Sequence, residues 1–230
     1  MDYAQMNITT EHLNQNKMKV ELISVYGNDN VVCDCARVSF NKESANYSSE
    51  QNEKLINFLA KNNHWSPFSH SRVQFRLQIP IYVERQLIKT QAGVEYNSIS
   101  GRYVDFSDTY TPIKRWRKQS KDSKQGSAEE LRLSSQLVCQ EIEDNVLDVC
   151  KQAYIDLIKL GVSKEQARTI LPLSLNTTMI WTGSLYSFIR LCKQRLKQDA
   201  QQETREVVEE MLKQVKENGS FEMSLKAFEL

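Results

Sequence analysis

The sequence predicts an α+β fold, and three observations carry that prediction. Apolar Val73, Phe75, Leu77 and Ile79 alternate with Gln74, Arg76 and Gln78, the period of a strand with one buried face. Helical spacing of apolar residues governs 128–160 and 198–217, giving long helices in the second half of the chain. Strands and helices mix without a strict βαβ rhythm, which favours α+β.

Taken in order, residues 1–17 are polar and weakly patterned and read as an N-terminal extension, with 18–230 as a single domain. Val20, Leu22 and Ser24 alternate with Lys19, Glu21 and Ile23 in a strand that ends at Gly27. Asp29-Asn30 caps a short helix through VVCDCARVSF. A polar loop follows over 40–48, and Ser48 with Gln51 forms a capping box. The helix behind it carries Leu55, Ile56, Leu59 and Ala60 and stops at Asn62-Asn63. His64 and His70 bracket the segment HWSPFSH, where no third metal ligand accompanies them, so no metal is expected. Pro80 ends the strand at 73–79 and opens a helix over Ile81–Lys89, placing Gln86 and Lys89 on one face. A basic run at 113–127, with Trp116 among Arg115, Arg117 and Lys118, reads as a mobile surface loop rather than a nucleic-acid patch. The helix from Ala128 runs to Leu160 before Gly161, and Ser163 with Gln166 is a second capping box. LSLNTTMIWTG reads as a strand, and Gly183-Ser184 turns it into a helix with Leu185, Phe188, Ile189 and Cys192 on its apolar side. The final helix spans about 198–217.

Composition excludes several classes. With 230 residues, of which 40% are hydrophobic, the chain is long enough to bury a core. A net charge of +1 makes no global case for a nucleic-acid partner. No apolar run reaches the length of a membrane span. The five cysteines are scattered, and none sits beside a base or a clear helix N-terminus. An odd count without a signal peptide points to the cytoplasm.

The stretch Gln86–Tyr103, QLIKTQAGVEYNSISGRY, is the functional candidate. It is polar and cationic and lacks the apolar period of its neighbours, so it reads as a binding loop or a solvated surface loop. Lys89, Ser98, Ser100 and Arg102 are the residue types that bind phosphate, and Gly93 and Gly101 permit close backbone approach and positive φ.

From about Met18 to Asn218 the chain resembles the flavin-dependent thymidylate synthases, the ThyX family, in the variant often carried by phages. The resemblance rests on segments in family order: ARVSF at 36–40, HWSPFSH at 64–70, IPIYVERQLIK at 79–89, NSISGRY at 97–103, GVSKEQARTILP at 161–172, WTGS at 181–184, and Arg195 followed by DAQQE. It implies a ThyX-like fold, with an antiparallel-rich sheet flanked by helices, and a catalytic domain acting as a homotetramer. It also implies reductive methylation of dUMP to dTMP, with FAD and NADPH as cofactors and 5,10-methylenetetrahydrofolate as co-substrate, in the cytoplasm (the host's, for a phage gene).

The same resemblance assigns residues. Gln86, Lys89, Ser98, Ser100, Gly101, Arg102, Arg168 and Arg195 correspond to nucleotide binders, Arg168 from another subunit region. Ser66, Lys89, Thr90, Gln91, Ser184, Tyr186, Arg190 and Asp199 occupy flavin-contacting positions. Arg195, Ser100 and His64 are the catalytic candidates, with Arg195 polarising the uracil ring. Arginine suits that role because its charge is permanent and its geometry rigid. A flavin-driven reaction also needs no protein nucleophile. Three positions differ from the family pattern: Thr90 and Asp199 stand where it has histidine, and Ser98 where it has glutamate. Two other readings rest on these differences. One is a pyrimidine deoxynucleotide hydroxymethylase or other C5-modifying enzyme; the other is a flavin-free nucleotide-binding paralogue.

Overall fold

The alternation at 73–79 forms β2 (Arg72–Pro80), and Val73, Phe75, Leu77 and Ile79 are all fully buried. The structure, a computed structural model, describes residues 18–104, 109–121 and 126–230, so the extension read at 1–17 lies outside the described residues. β2 joins β1 (Lys19–Tyr26), β3 (Val94–Ser98) and β6 (Asn176–Ser184) in a four-stranded sheet ordered β1-β2-β6-β3. Helices and a largely antiparallel sheet make the α+β class. No helix among the described residues is long and apolar enough to cross a membrane.

The chain divides into two compact units. One is made of Val20–Leu77, Arg85–Asn97 and Met179–Leu230. Its helices are α1 (Asp29–Arg37), α2 (Ser49–Lys61), α6 (Leu185–Arg195), α7 (Gln202–Asn218) and α8 (Glu222–Ala227). The capping box of α2 forms as expected, Ser48 Oγ accepting from Gln51 N–H while Gln51 Oε1 accepts from Ser48 N–H. The cap of α1 is Asn28 rather than Asp29-Asn30: Asn28 Oδ1 accepts from the N–H groups of Asn30 and Val31. The core is aromatic where the sheet meets α6. Phe75 lies 6.3 Å from Trp181 and 5.9 Å from Phe188, centroid to centroid. Gly183 lets the indole of Trp181 lie against its backbone, where any Cβ would collide with the ring.

Asp29, released from capping α1, joins the two ends of this unit. Its carboxylate accepts from Met223 N–H at 2.7 Å, Ser224 N–H at 3.0 Å and Ser224 Oγ–H at 2.5 Å, capping α8. Gln214 adds a second tie, accepting from Leu22 N–H at 2.7 Å and donating to Val20 O at 2.9 Å. Burial raises the Asp29 carboxyl above its ordinary value, against the opposing pull of these hydrogen bonds. A carboxyl raised on folding favours the folded state at low pH, and that contribution disappears as pH rises through the folded value. In urea unfolding followed from pH 3.5 to 7, about the span over which such a group titrates, the stability of wild type minus that of Asp29→Asn is expected to fall. A difference that rises would reverse the sign assigned here.

The other unit contains Gln78–Glu84 and Ser98–Thr178. Its long helix, α4 (Leu133–Lys159), starts later than the helical spacing predicts, because Ser127–Glu130 forms β5. β5 pairs antiparallel with β4 (Arg117–Gln119), so the basic run is a hairpin rather than a loop, although 122–125 are not described. Arg115 pairs with Glu130 at 2.7 Å and Lys118 with Glu129 at 2.8 Å, so acidic residues on β5 answer the basic ones. Gln136 of α4 holds the hairpin base, accepting from Trp116 N–H at 2.7 Å and donating to Trp116 O at 2.9 Å. The apolar stripe that defines α4 in the sequence points outward: Leu133, Leu137, Ile142, Val146 and Val149 are exposed, and Leu147 and Tyr154 are the buried ones. α5 is only Lys164–Ala167, and its Ser163 hydroxyl makes no cap, so the second capping box does not form.

Candidate active site

The stretch Gln86–Tyr103 is more structured than its polarity predicts. α3 (Ile81–Leu87) ends two residues before Lys89, which therefore stands in the turn beyond the helix. β3 then follows as a strand whose residues are mostly exposed. Such a strand bears no apolar alternation, and its place in the sheet rests on backbone pairing.

Between α3 and β3 the chain is clamped onto the start of α6. Ser184 Oγ caps α6, accepting from Ser187 N–H at 3.2 Å, and lies 2.8 Å from Ser187 Oγ. Ser187 Oγ donates to Ala92 O at 2.6 Å, and Ser184 N–H donates to Gly93 O at 2.9 Å. Gly93 adopts φ +72°, and a Cβ there would stand 2.5 Å from Ser187 Oγ, so the turn admits glycine alone without rearrangement. Gly101 is buried, but its φ is not positive.

Among the flavin candidates, all of which lie in the unit that carries α6, two point inward. Ser184 is spent on the clamp, and Thr90 is buried with its hydroxyl donating to Gln194 Oε1 at 3.3 Å. Lys89, Gln91, Ser66 and Asp199 are exposed, and Arg190 and Tyr186 are half-buried. Tyr186 lies 6.2 Å from the ring of Trp65, with the planes 35° apart. Neither Lys89 nor Arg190 makes an ion pair with a described residue. This donor set fits a flavin dinucleotide: two unneutralised cations suit a diphosphate, and a tyrosine–tryptophan pair suits a planar ring. His64, exposed just past α2, meets the edge of Phe58 at 5.7 Å.

Arg195, in the last turn of α6, is fixed in place. Its Nη2 donates to Gln86 O at 2.6 Å, while its Nε is buried without a hydrogen-bond partner among the described residues. Burial lowers its pKa, yet a guanidinium stays protonated. The Gln86 side chain donates in turn to Gln201 Oε1. The cysteines of this unit offer no nucleophile: burial pushes the Cys192 thiol up to about 12 and that of Cys33 up to about 11.

Of the phosphate-type candidates, Ser98, Ser100 and Arg102 lie in the other unit, and Lys89 in the unit that carries α6. Ser100 shapes a turn, its Oγ accepting from Arg102 N–H at 3.3 Å and its carbonyl from Tyr103 N–H at 3.0 Å. Arg102 pairs with Glu165 at 3.3 Å, one turn before the exposed Arg168. Ser98 donates its hydroxyl to Glu84 of α3, so a carboxylate reaches the Ser98 position from a different element. Motif reading could not find Glu84, because the pairing spans 14 residues and depends on how α3 meets the end of β3.

Comparison with known proteins agrees on one family. The family described as thymidylate synthase complementing protein matches residues 21–218. A flavin-dependent thymidylate synthase from Kosmotoga olearia is 33% identical over 186 residues, covering 80% of this chain and 79% of the relative. One from Thermosipho melanesiensis is 31% identical over 214 residues, covering 90% of both. Among solved structures, a UMP/dUMP methylase, PolB from Streptomyces cacaoi bound with 5-Br dUMP, superposes with a TM-score of 0.80 at 23% identity, covering 93% of this chain and 95% of that one.

Proposed function

The chain belongs to the thymidylate synthase complementing protein family, and from that premise we propose that it methylates dUMP to dTMP in a flavin-dependent reaction. Methylenetetrahydrofolate is the carbon donor in this reading, NADPH the reductant and FAD the cofactor. The observation that carries the reading is Arg195: a half-buried guanidinium, anchored on Gln86 O at 2.6 Å, with its Nε buried and unpartnered among the described residues. A fixed cation of this kind suits a pyrimidine ring that gains negative charge when its C5 is activated.

Base recognition falls to Arg195, and recognition of the sugar and phosphate to Gln86, Ser98, Ser100, Gly101, Arg102, Arg168 and Lys89. Bound FAD, once reduced, would supply hydride. Ser66, Lys89, Gln91, Tyr186, Arg190 and Asp199 would hold it, with Thr90 and Ser184 bracing the turn from inside. Ser100 positions the phosphate turn, and His64 lines the pocket. Glu84 at Ser98 supports this reading over the two built on the motif's differences, since it returns a carboxylate to the altered position. The exposed stripe on α4 supports a homotetramer, because apolar side chains in a row on a helix seek a partner face.

The test uses dUMP tritiated at C5, with FAD, NADPH and methylenetetrahydrofolate. Tritium release and dTMP by mass spectrometry are expected, from a species with a tetramer's scattering mass. No release at any flavin loading overturns the reading, and a hydroxymethyl product from dUMP or dCMP transfers it to the hydroxymethylase class.

A further inference from the structure

Gln86 belongs to a directed chain of hydrogen bonds. Its Nε2 donates to Gln201 Oε1, and Gln201 Nε2 donates to Glu203 Oε2 at 3.0 Å. Gln201 stands at the cap of α7, and Glu203, in the first turn, is buried. The two ends of an amide are nearly alike in shape, so a pair of glutamines alone could run in either direction. The carboxylate removes that ambiguity. It only accepts, so Gln201 must turn its NH2 toward Glu203 and its carbonyl toward Gln86. Gln86 must then give its NH2 to Gln201. What Gln86 has left is its own carbonyl, Oε1, which accepts no hydrogen bond from a described residue, and the second N–H of its amide. Arg195 holds the backbone carbonyl of the same residue, so Gln86 is oriented at both main chain and side chain.

We infer that Gln201 and Glu203 are positioning residues that set the polarity of Gln86, so that the protein offers its nucleotide an acceptor and selects a hydrogen-bond donor there. The inference rests on the reading of Gln86 as a nucleotide contact. A phosphate or ring carbonyl oxygen is rejected against Oε1, because lone pair would face lone pair. The donor is either the sugar 3′-hydroxyl or the base N3–H.

Glu203→Gln tests this with little change of volume, since an amide at 203 lets the chain run either way. Calorimetry with flavin-loaded protein would compare dUMP, N3-methyl-dUMP and 2′,3′-dideoxyuridine monophosphate. The substitution is expected to weaken dUMP binding roughly threefold to tenfold, the worth of one hydrogen bond. For the analogue that lacks the selected donor, wild type and variant should bind alike: the N-methyl compound for the base, the dideoxy compound for the sugar. An equal loss for all three ligands makes Glu203 merely structural and overturns the inference, as does no loss for any. Wild type that binds no dUMP overturns the underlying reading of Gln86 instead. Should Glu203→Gln fail to fold, Gln201→Met breaks the same chain, with the same pattern expected.

Discussion

Replacing Arg195 with alanine is expected to lower kcat by about 100- to 1000-fold while changing the dUMP dissociation constant by less than about tenfold. The asymmetry follows from where the guanidinium sits and when its charge is needed. It is held by the last turn of α3 through Gln86 O, and its Nε is shielded from water. A cation in such a place acts most strongly on negative charge that grows during the reaction, and uracil carries little of it before C5 is activated. Lysine at 195 keeps a charge but loses the planar fork, so it should fall between the two. Steady-state kinetics beside calorimetry decide the matter. Equal losses in turnover and affinity would mean that Arg195 only binds.

The second large effect is structural. Phe188→Ala should cost about 3–5 kcal/mol of stability, since it removes a fully buried ring from a rigid aromatic contact. Phe188 stacks on Phe75 at 5.9 Å and meets Trp181 edge-on at 6.4 Å. It sits on α6 between Ser184, which caps that helix, and Arg195, which ends it. Loss of the ring should therefore lower the melting temperature by roughly 10 °C and loosen Arg190 and Arg195 together. Urea unfolding of the variant measures this, and a loss under about 1 kcal/mol would show that the neighbours fill the space.

Where side-chain pattern reports on burial, the sequence was readable. The four apolar residues of β2, the capping box of α2 and the inner face of α6 all lie as their spacing predicts. Elements whose existence depends on backbone pairing or charge pairing were not. β3 hides in a polar stretch because its side chains are exposed, and the β4–β5 hairpin hides in a basic run because its acidic partners come a dozen residues later. The helical pattern of α4 was real, but burial could not be inferred from it, since the stripe faces outward. α8 lies beyond the last helix that the sequence predicts, although Phe221, Leu225 and Phe228 around it are buried. The candidate site divides along similar lines. Motifs identify Gln86, Arg102 and Arg195, whereas Glu84, Gln201 and Glu203 emerge only from tertiary neighbours. Thr90 and Ser184 show the reverse: the resemblance assigns them to flavin-contacting positions, but their hydroxyls are turned into the protein.

The bonds from Asp29 to Ser224 and from Val20 to Gln214 also constrain biosynthesis. Each spans more than 190 positions, so β1 and α1 cannot lock until the segments that carry Gln214 and Ser224 have been translated. Nascent β1 and α1 must wait in the open, and such distant closure slows folding.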